Sequence, residues 1–289
     1  MIHWAIIQAG KQASSHVDVA PWWSLTKTAI AVAALRLARD GLIDLDTPIS
    51  RGGSLRMLLS HQGGVANYTA LPAYAEAVGR GDVPWSMQIM LTRTQKFKPP
   101  FQPNTGWAYS NTGYAIVRCA LEAATNQTLA EILFRYVFDP IGLRETKLVA
   151  SVHELDVCPL AVGQYYDPRW VYHGLVVGPS KEAALFVHAL MVGDILEPLD
   201  FKSMMTIHDL GGAIQGRPFT KCGYGLGVMA GEMGAAGRVF GHSGVGPFSV
   251  SATYYFADLS MPTTVCVYKT GCYEGPAEQQ ALEIAVNSQ

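Results

Sequence analysis

Ser24 and Lys27 stand three residues apart in Trp22-Trp23-Ser24-Leu25-Thr26-Lys27, at the head of a run rich in Ala, Leu and Val. Thr28 to Arg39 reads as a helix that is apolar nearly all round, through Ala29, Ile30, Val32, Ala33, Ala34, Leu35, Leu37 and Ala38, so it is a buried one. Asp40-Gly41 stops it. Residues three apart on a helix share a face, which points the Ser24 hydroxyl and the Lys27 amine the same way. A hydroxyl attacks a carbonyl only once a base takes its proton. An amine serves as that base only when burial or nearby positive charge lowers its pKa. The tryptophans and the apolar helix supply burial, and the helix N-terminus supplies N–H groups for a developing oxyanion. By itself, however, Ser-x-x-Lys is a low-information pattern, and a helix cap followed by a solvated lysine fits it better. The chemistry depends on partners elsewhere in the chain.

The other elements must bring those partners. Residues 2–19 read as a hairpin, Ile2 to Ala9 and Gln12 to Val19 around Gly10-Lys11. From Leu42 to about Ala161 helical signals dominate, with short helices at Ser54–Ser60, Pro72–Val78 and Pro84–Thr92 and longer ones at about Gly113–Ala124 and Thr128–Val137. The proline-rich stretch Lys98 to Gly106 excludes regular structure and delivers Trp107-Ala108-Tyr109-Ser110-Asn111 as a loop. After Gly174 comes a helix at Ser180–Met191, then β-type runs at Tyr224–Met229, Arg238–His242, Phe248–Phe256 and Thr263–Tyr268, and a closing helix at Pro276–Val286. Gly-rich turns between those runs indicate an antiparallel meander. Strands at both ends with helices between predict an α/β (α+β) fold. One antiparallel sheet is built from both chain termini and flanked by helices, with a mainly helical lobe inserted. A single domain is expected over 1–289, its α/β part about 1–45 and 174–289 and its helical lobe about 46–173.

Composition narrows the function. Apolar residues make up 49% and charged ones 15%, and 21 Lys and Arg against 23 Asp and Glu leave a net charge of −2. Nucleic acid and anionic membrane therefore have no electrostatic case as partners. The N-terminal apolar run is too short for a signal peptide core or a membrane span, and the helix at 28–39 carries Arg36 and Arg39. A cytoplasmic protein without a membrane segment is the expectation. The five cysteines, an odd number without a Cys-x-x-Cys pair, read as buried thiols. The eight histidines lack ligand spacing, so neither a metal nor another cofactor is expected.

Three stretches stand together in order: Ser24-Leu25-Thr26-Lys27, Tyr109-Ser110-Asn111 and His242-Ser243-Gly244. Their order and spacing resemble the serine β-lactamase and penicillin-binding-protein superfamily, in particular its class C-like branch of esterases, D-aminopeptidases, DD-peptidases and amide hydrolases. Leu58 to Val65 resembles the family's Leu-Leu-x-His-x-x-Gly stretch. Pro103 to Tyr114 resembles its Pro-Gly-x-x-Trp-x-Tyr-Ser-Asn-x-Gly-Tyr segment, with Asn104 where glycine is usual. Asp139 to Leu143, Tyr224 to Gly227 and Gly241 to Gly244 resemble further family stretches. The resemblance implies that Ser24 forms an acyl-enzyme and that Lys27 takes its proton. It implies that Tyr109, its phenol acidified by the ammonium, shuttles the proton to the leaving group. Asn111 would bind the substrate's amide or acyl group, and the backbone N–H groups of Ser24 and Val245 would form the oxyanion hole. Without the resemblance, Tyr109 would read as loop packing and Asn111 as a turn residue.

Lys269-Thr270-Gly271 also matches the Lys-Thr-Gly of β-lactamases. In the family that strand is followed by two more strands and a helix. The stretch after Gly271 holds a helix alone, whereas two β-type runs follow Gly244. His242, Ser243 and Gly244 are therefore placed on the cleft strand, with Lys269 at the end of the last one. A histidine there, only part-charged at neutral pH, resembles esterases, D-aminopeptidases and amidases more than efficient β-lactamases. The expected activity is hydrolysis of a small ester, amide or short peptide. The alternatives are a DD-peptidase or weak β-lactamase and, from another class, a non-catalytic penicillin- or acyl-binding sensor.

Overall fold

The computed structural model describes residues 2–15, 19–49, 52–161, 163 and 165–289. Its strands are β1 (Ile2–Gln8), β2 (Lys11–Ser14), β3 (Val19–Pro21), β4 (Lys147–Val149), β5 (Leu175–Pro179), β6 (His208–Gly211), β7 (Lys221–Tyr224), β8 (Met229–Glu232), β9 (Arg238–Val245), β10 (Ser249–Phe256) and β11 (Thr263–Thr270). Its α-helices are α1 (Leu25–Arg39), α2 (Leu55–Leu59), α3 (Pro72–Arg80), α4 (Met87–Thr94), α5 (Asn111–Thr125), α6 (Leu129–Leu133), α7 (Val152–Leu155), α8 (Ser180–Val192), α9 (Pro198–Met204) and α10 (Gly275–Asn287).

Eight strands form one sheet in the order β2-β1-β11-β10-β9-β8-β7-β6. The termini meet in it: β1 pairs antiparallel with β11, from Ile2 opposite Lys269 to Gln8 opposite Thr263. Alternation gives the central strands two buried faces. Cys266 and Tyr268 join the core shared by α1 and α8, while Val265 and Val267, with Val250, Ala252, Tyr254 and Phe256 of β10, pack with α10. Helix α1 is buried at every residue from Leu25 to Leu35, as its all-round apolar pattern requires.

Several expectations are corrected. The hairpin's second strand ends at Ser14; residues 16–18 lie outside the described ones, and Val19 belongs to a different sheet. That sheet, β3-β5-β4, was not read from the sequence. Tyr224–Met229 is not a strand but the connection from the end of β7 at Tyr224 to the start of β8 at Met229. Asn111 is not in a loop but opens α5, where the Ser110 side chain caps the helix by accepting from Gly113 N–H. Only Cys158 and Cys266 are buried thiols; Cys119 and Cys222 are part-exposed and Cys272 is exposed.

Candidate active site

Ser24 precedes α1 with helical backbone angles, φ −74° and ψ −12°, and its side chain makes no capping bond. Its Oγ instead lies 3.0 Å from Lys27 Nζ. Lys27 is wholly buried, and burial pulls its pKa well below the ordinary 10.5. Among the described residues no carboxylate lies within ion-pairing distance of it, so no ion pair offsets the effect of burial.

Trp23, just before the serine, has φ +48°. That is rare for a bulky residue and stores strain of about 1–3 kcal/mol. The indole Nε1–H donates to Ser249 Oγ at 3.0 Å, and the ring meets Phe248 edge-on at 5.3 Å. The strained turn is thus pinned to β10. Ser251 Oγ–H donates to the Trp22 carbonyl at 2.8 Å, adding a second tie.

Tyr109 comes from the proline-rich segment. His61 holds that segment from below: its Nδ1 accepts from Ser110 N–H at 3.2 Å, its carbonyl accepts from Ala108 N–H at 3.1 Å, and its ring lies 4.2 Å from that of Tyr109. The Tyr109 ring centroid is 5.0 Å from Lys27 Nζ. The expected acidification of the phenol does not occur. Burial drives its pKa above the ordinary 10.0, and the nearby Ser24 hydroxyl offsets this only in part. Asn111 borders the same cavity, its own N–H donating to Asn67 Oδ1 at 3.2 Å.

On β9, Gly244 approaches the serine turn so closely that a Cβ there would lie 2.4 Å from Ser24 N. Val245, the last residue of β9, borders the cavity. Among the described residues the Ser24 N–H has no acceptor. His242 differs from its expected part-charged state. It is buried, its Nδ1–H donates to the Ser243 carbonyl, and its Nε2 accepts from Tyr224 Oη at 2.9 Å. Burial, then the nearby Lys27, push its pKa down to about 3, so it is neutral at pH 7. The cation beside this strand is a residue that sequence reading missed. Arg217 Nη2 donates to Ser243 Oγ at 3.0 Å, and Arg217 Nε donates to the fully buried Glu278 at 2.7 Å. His173, equally unread, lies 3.1 Å through Nε2 from Lys27 Nζ. Neither carries a local sequence signal: one is a lone Arg in a loop, the other a lone His before a glycine.

These groups surround a cavity of about 920 Å³. Its lining includes an aromatic group, Trp23, Tyr68, Tyr74 and Tyr166, and also Leu210, Ile214 and Arg217. Among the described residues no group of three His, Cys, Asp or Glu is placed to hold a metal ion. No described helix is long and apolar enough to cross a membrane.

Known proteins were compared with this chain. The family model described as Beta-lactamase matches residues 8–287. A penicillin-binding protein of Bacillus subtilis (strain 168) is 28% identical over 138 residues, 43% of this chain and 29% of that protein. A lovastatin esterase of Penicillium rubens is 26% identical over 181 residues, 52% of this chain and 44% of that protein. The chain thus spans less than half the length of these relatives. The D-amino acid amidase structure from Ochrobactrum anthropi SV3 superposes with a TM-score of 0.82 at 20% identity, over 100% of this chain and 95% of that one. That last likeness is one of fold.

Proposed function

The chain belongs to the β-lactamase family, and on that premise we propose that it is a serine hydrolase. In this reading Ser24 attacks an ester or amide carbonyl and water cleaves the resulting acyl-enzyme. The observation that carries the reading is the 3.0 Å approach of the fully buried Lys27 amine, whose pKa burial pulls well below 10.5, to Ser24 Oγ. A neutral amine accepts the hydroxyl proton as the Oγ–carbon bond forms. The place of Tyr109, its ring 5.0 Å from Lys27 Nζ and on the same cavity as Ser24, supports the phenol as the group that hands a proton to the leaving oxygen or nitrogen. It does so in its protonated form, since burial raises its pKa. Ser24 and Val245 N–H are the oxyanion donors, Asn111 positions the acyl or amide group, and the aromatic lining takes an apolar substituent.

The esterase among the relatives agrees with an ester or amide substrate, as does a neutral His242, which offers no cation to a substrate carboxylate. One observation favours a second reading, a DD-peptidase or weak β-lactamase: the Arg217 guanidinium borders the cavity and is able to donate to a carboxylate. Turnover assays with a p-nitrophenyl ester, a D-amino acid amide and penicillin separate the two. Multiple turnovers of the ester or amide with no lasting penicilloyl adduct uphold the hydrolase. A stable penicilloyl adduct without ester or amide turnover overturns it.

A further inference from the structure

Lys27 Nζ has two side-chain partners among the described residues, Ser24 Oγ at 3.0 Å and His173 Nε2 at 3.1 Å. His173 sits in the turn between the Pro168–Trp170 helical turn and β5. Gly174 shapes that turn with φ +101°, its N–H donating to the Val171 carbonyl at 2.7 Å. A side chain there would meet Leu148 at 2.9 Å and Leu129 at 3.0 Å. Two residues on, β5 is stitched to the serine turn. Trp22 N–H donates to the Val176 carbonyl at 2.8 Å, and Val176 N–H donates to Thr26 Oγ1 at 3.1 Å. His173 is therefore held to Ser24 and Lys27 by two short segments, 22–27 and 173–176, bonded to each other.

The imidazole is buried and its Nδ1 has no partner among the described residues. An apolar ring would fill the space without that unmet polar atom, so packing alone gives no reason for a histidine. The amine gives one. To accept the Ser24 proton, Lys27 must turn its lone pair toward Oγ, which leaves its N–H groups needing an acceptor. Around it stand the rings of Tyr109 and Tyr114, at 5.0 and 5.7 Å, then His61 and His242, with Arg118 beyond His173. Of these, only His173 Nε2 forms a hydrogen bond with the amine.

We propose that His173 is a positioning residue whose Nε2 accepts an N–H of Lys27, turning the amine's lone pair onto the Ser24 hydroxyl. This rests on the reading of Ser24 and Lys27 as the acylating pair. As the Oγ–carbon bond forms, the proton passes from Oγ to Nζ. The ammonium keeps its bond to His173 until Tyr109, giving its own proton to the leaving group, takes that proton in its place, and His173 ends neutral as it began.

The test uses H173F, which keeps a ring and removes the acceptor, and H173Q, which restores an acceptor oxygen. The readout is the rate of fluorophosphonate labelling of Ser24 from pH 5 to 10, by intact mass, with S24A as control. H173F is expected to label about 100-fold more slowly, the scale of one aligned transition-state hydrogen bond. Its acid limb moves to lower pH, because the ammonium loses an acceptor, while its Tm equals or exceeds that of the wild type. H173Q is expected to recover at least tenfold of the rate, roughly one hydrogen bond's share. A wild-type rate and limb in H173F overturn the proposal, as do equal losses in both variants with the limb unmoved. If H173F does not fold, H173Q alone decides: a rate within tenfold of wild type with an unmoved limb upholds the proposal, and a larger loss overturns it. Labelling of S24A at the wild-type rate would instead sink the Ser24 reading, so the two failures are distinct.

Discussion

Gly244 lies against Ser24: a methyl group at 244 would stand 2.4 Å from Ser24 N, 2.6 Å from Trp23 Cβ and 2.7 Å from the Trp22 carbonyl oxygen. The late strand and the serine turn meet backbone to backbone, and only glycine permits it. Gly244→Ala is expected to wedge β9 off the turn. Overpacking of this kind destabilises by about 1–3 kcal/mol. The spread oxyanion donors lower acylation at least about 100-fold. Urea unfolding and labelling kinetics measure the two effects; a variant with wild-type labelling would show that the contact does not shape the site.

Tyr109→Phe removes the phenol proposed as the proton donor and leaves the ring packed on His61. Ester turnover is expected to fall about 10²- to 10⁴-fold, the range of general acid–base catalysis, with Tm unchanged. The raised phenol pKa adds a pH statement. A group that must be protonated, and whose pKa lies above 10.0, stays competent throughout neutral and mildly alkaline solution. Wild-type turnover is therefore expected to hold level from pH 8 to 10. A fall centred near pH 9 would contradict the assignment.

Much of this arrangement was legible in the sequence, for identifiable reasons. The all-apolar run after Lys27 could only be a buried helix. β-type runs between glycine-rich turns marked β9, β10 and β11, and the residues left after Gly244 and after Gly271 put His242-Ser243-Gly244 on the strand that lies beside the Ser24 turn and Lys269 near the end of the last one. What stayed hidden depends on long-range proximity. Strand β3 is only Val19–Pro21 and pairs with Val177–Pro179 far along the chain, too short for periodicity to show. His173 and Arg217 have meaning only through Lys27 and Glu278, which lie in remote segments. His242 was visible, but its burial and its bond to Tyr224 were not, so its charge was misjudged.

Lys27 also ties stability to pH. Its folded pKa lies well below the unfolded value near 10.5. Between the two values the unfolded chain binds the proton and the folded chain does not. Stability therefore rises with pH through that window and levels off above about 10.5. Lys27→Met lacks this dependence. The stability of the wild type relative to Lys27→Met is expected to climb from pH 7.5 to 9.5, at up to about 1.4 kcal/mol per pH unit. Urea unfolding of both proteins at those pH values measures it. A constant difference would mean that the buried amine is charged.

The Arg217 side chain is 14% exposed and Glu278 is fully buried, and Tyr254 Oη–H also donates to that carboxylate at 3.0 Å. Removing one charge strands the other. Glu278→Gln is expected to cost about 3–5 kcal/mol, read by urea unfolding at pH 7. A loss under 1 kcal/mol would show that the guanidinium is hydrated from the cavity and does not rely on the pair.

The central claim is that Lys27 makes Ser24 a nucleophile. Intact-mass analysis after fluorophosphonate treatment of wild type, Ser24→Ala and Lys27→Ala tests it most directly. One adduct on the wild type, localised to Ser24, with none on Ser24→Ala and labelling at least about 100-fold slower on folded Lys27→Ala, is the predicted result. An unlabelled wild type, or Lys27→Ala labelled at the wild-type rate, would contradict it.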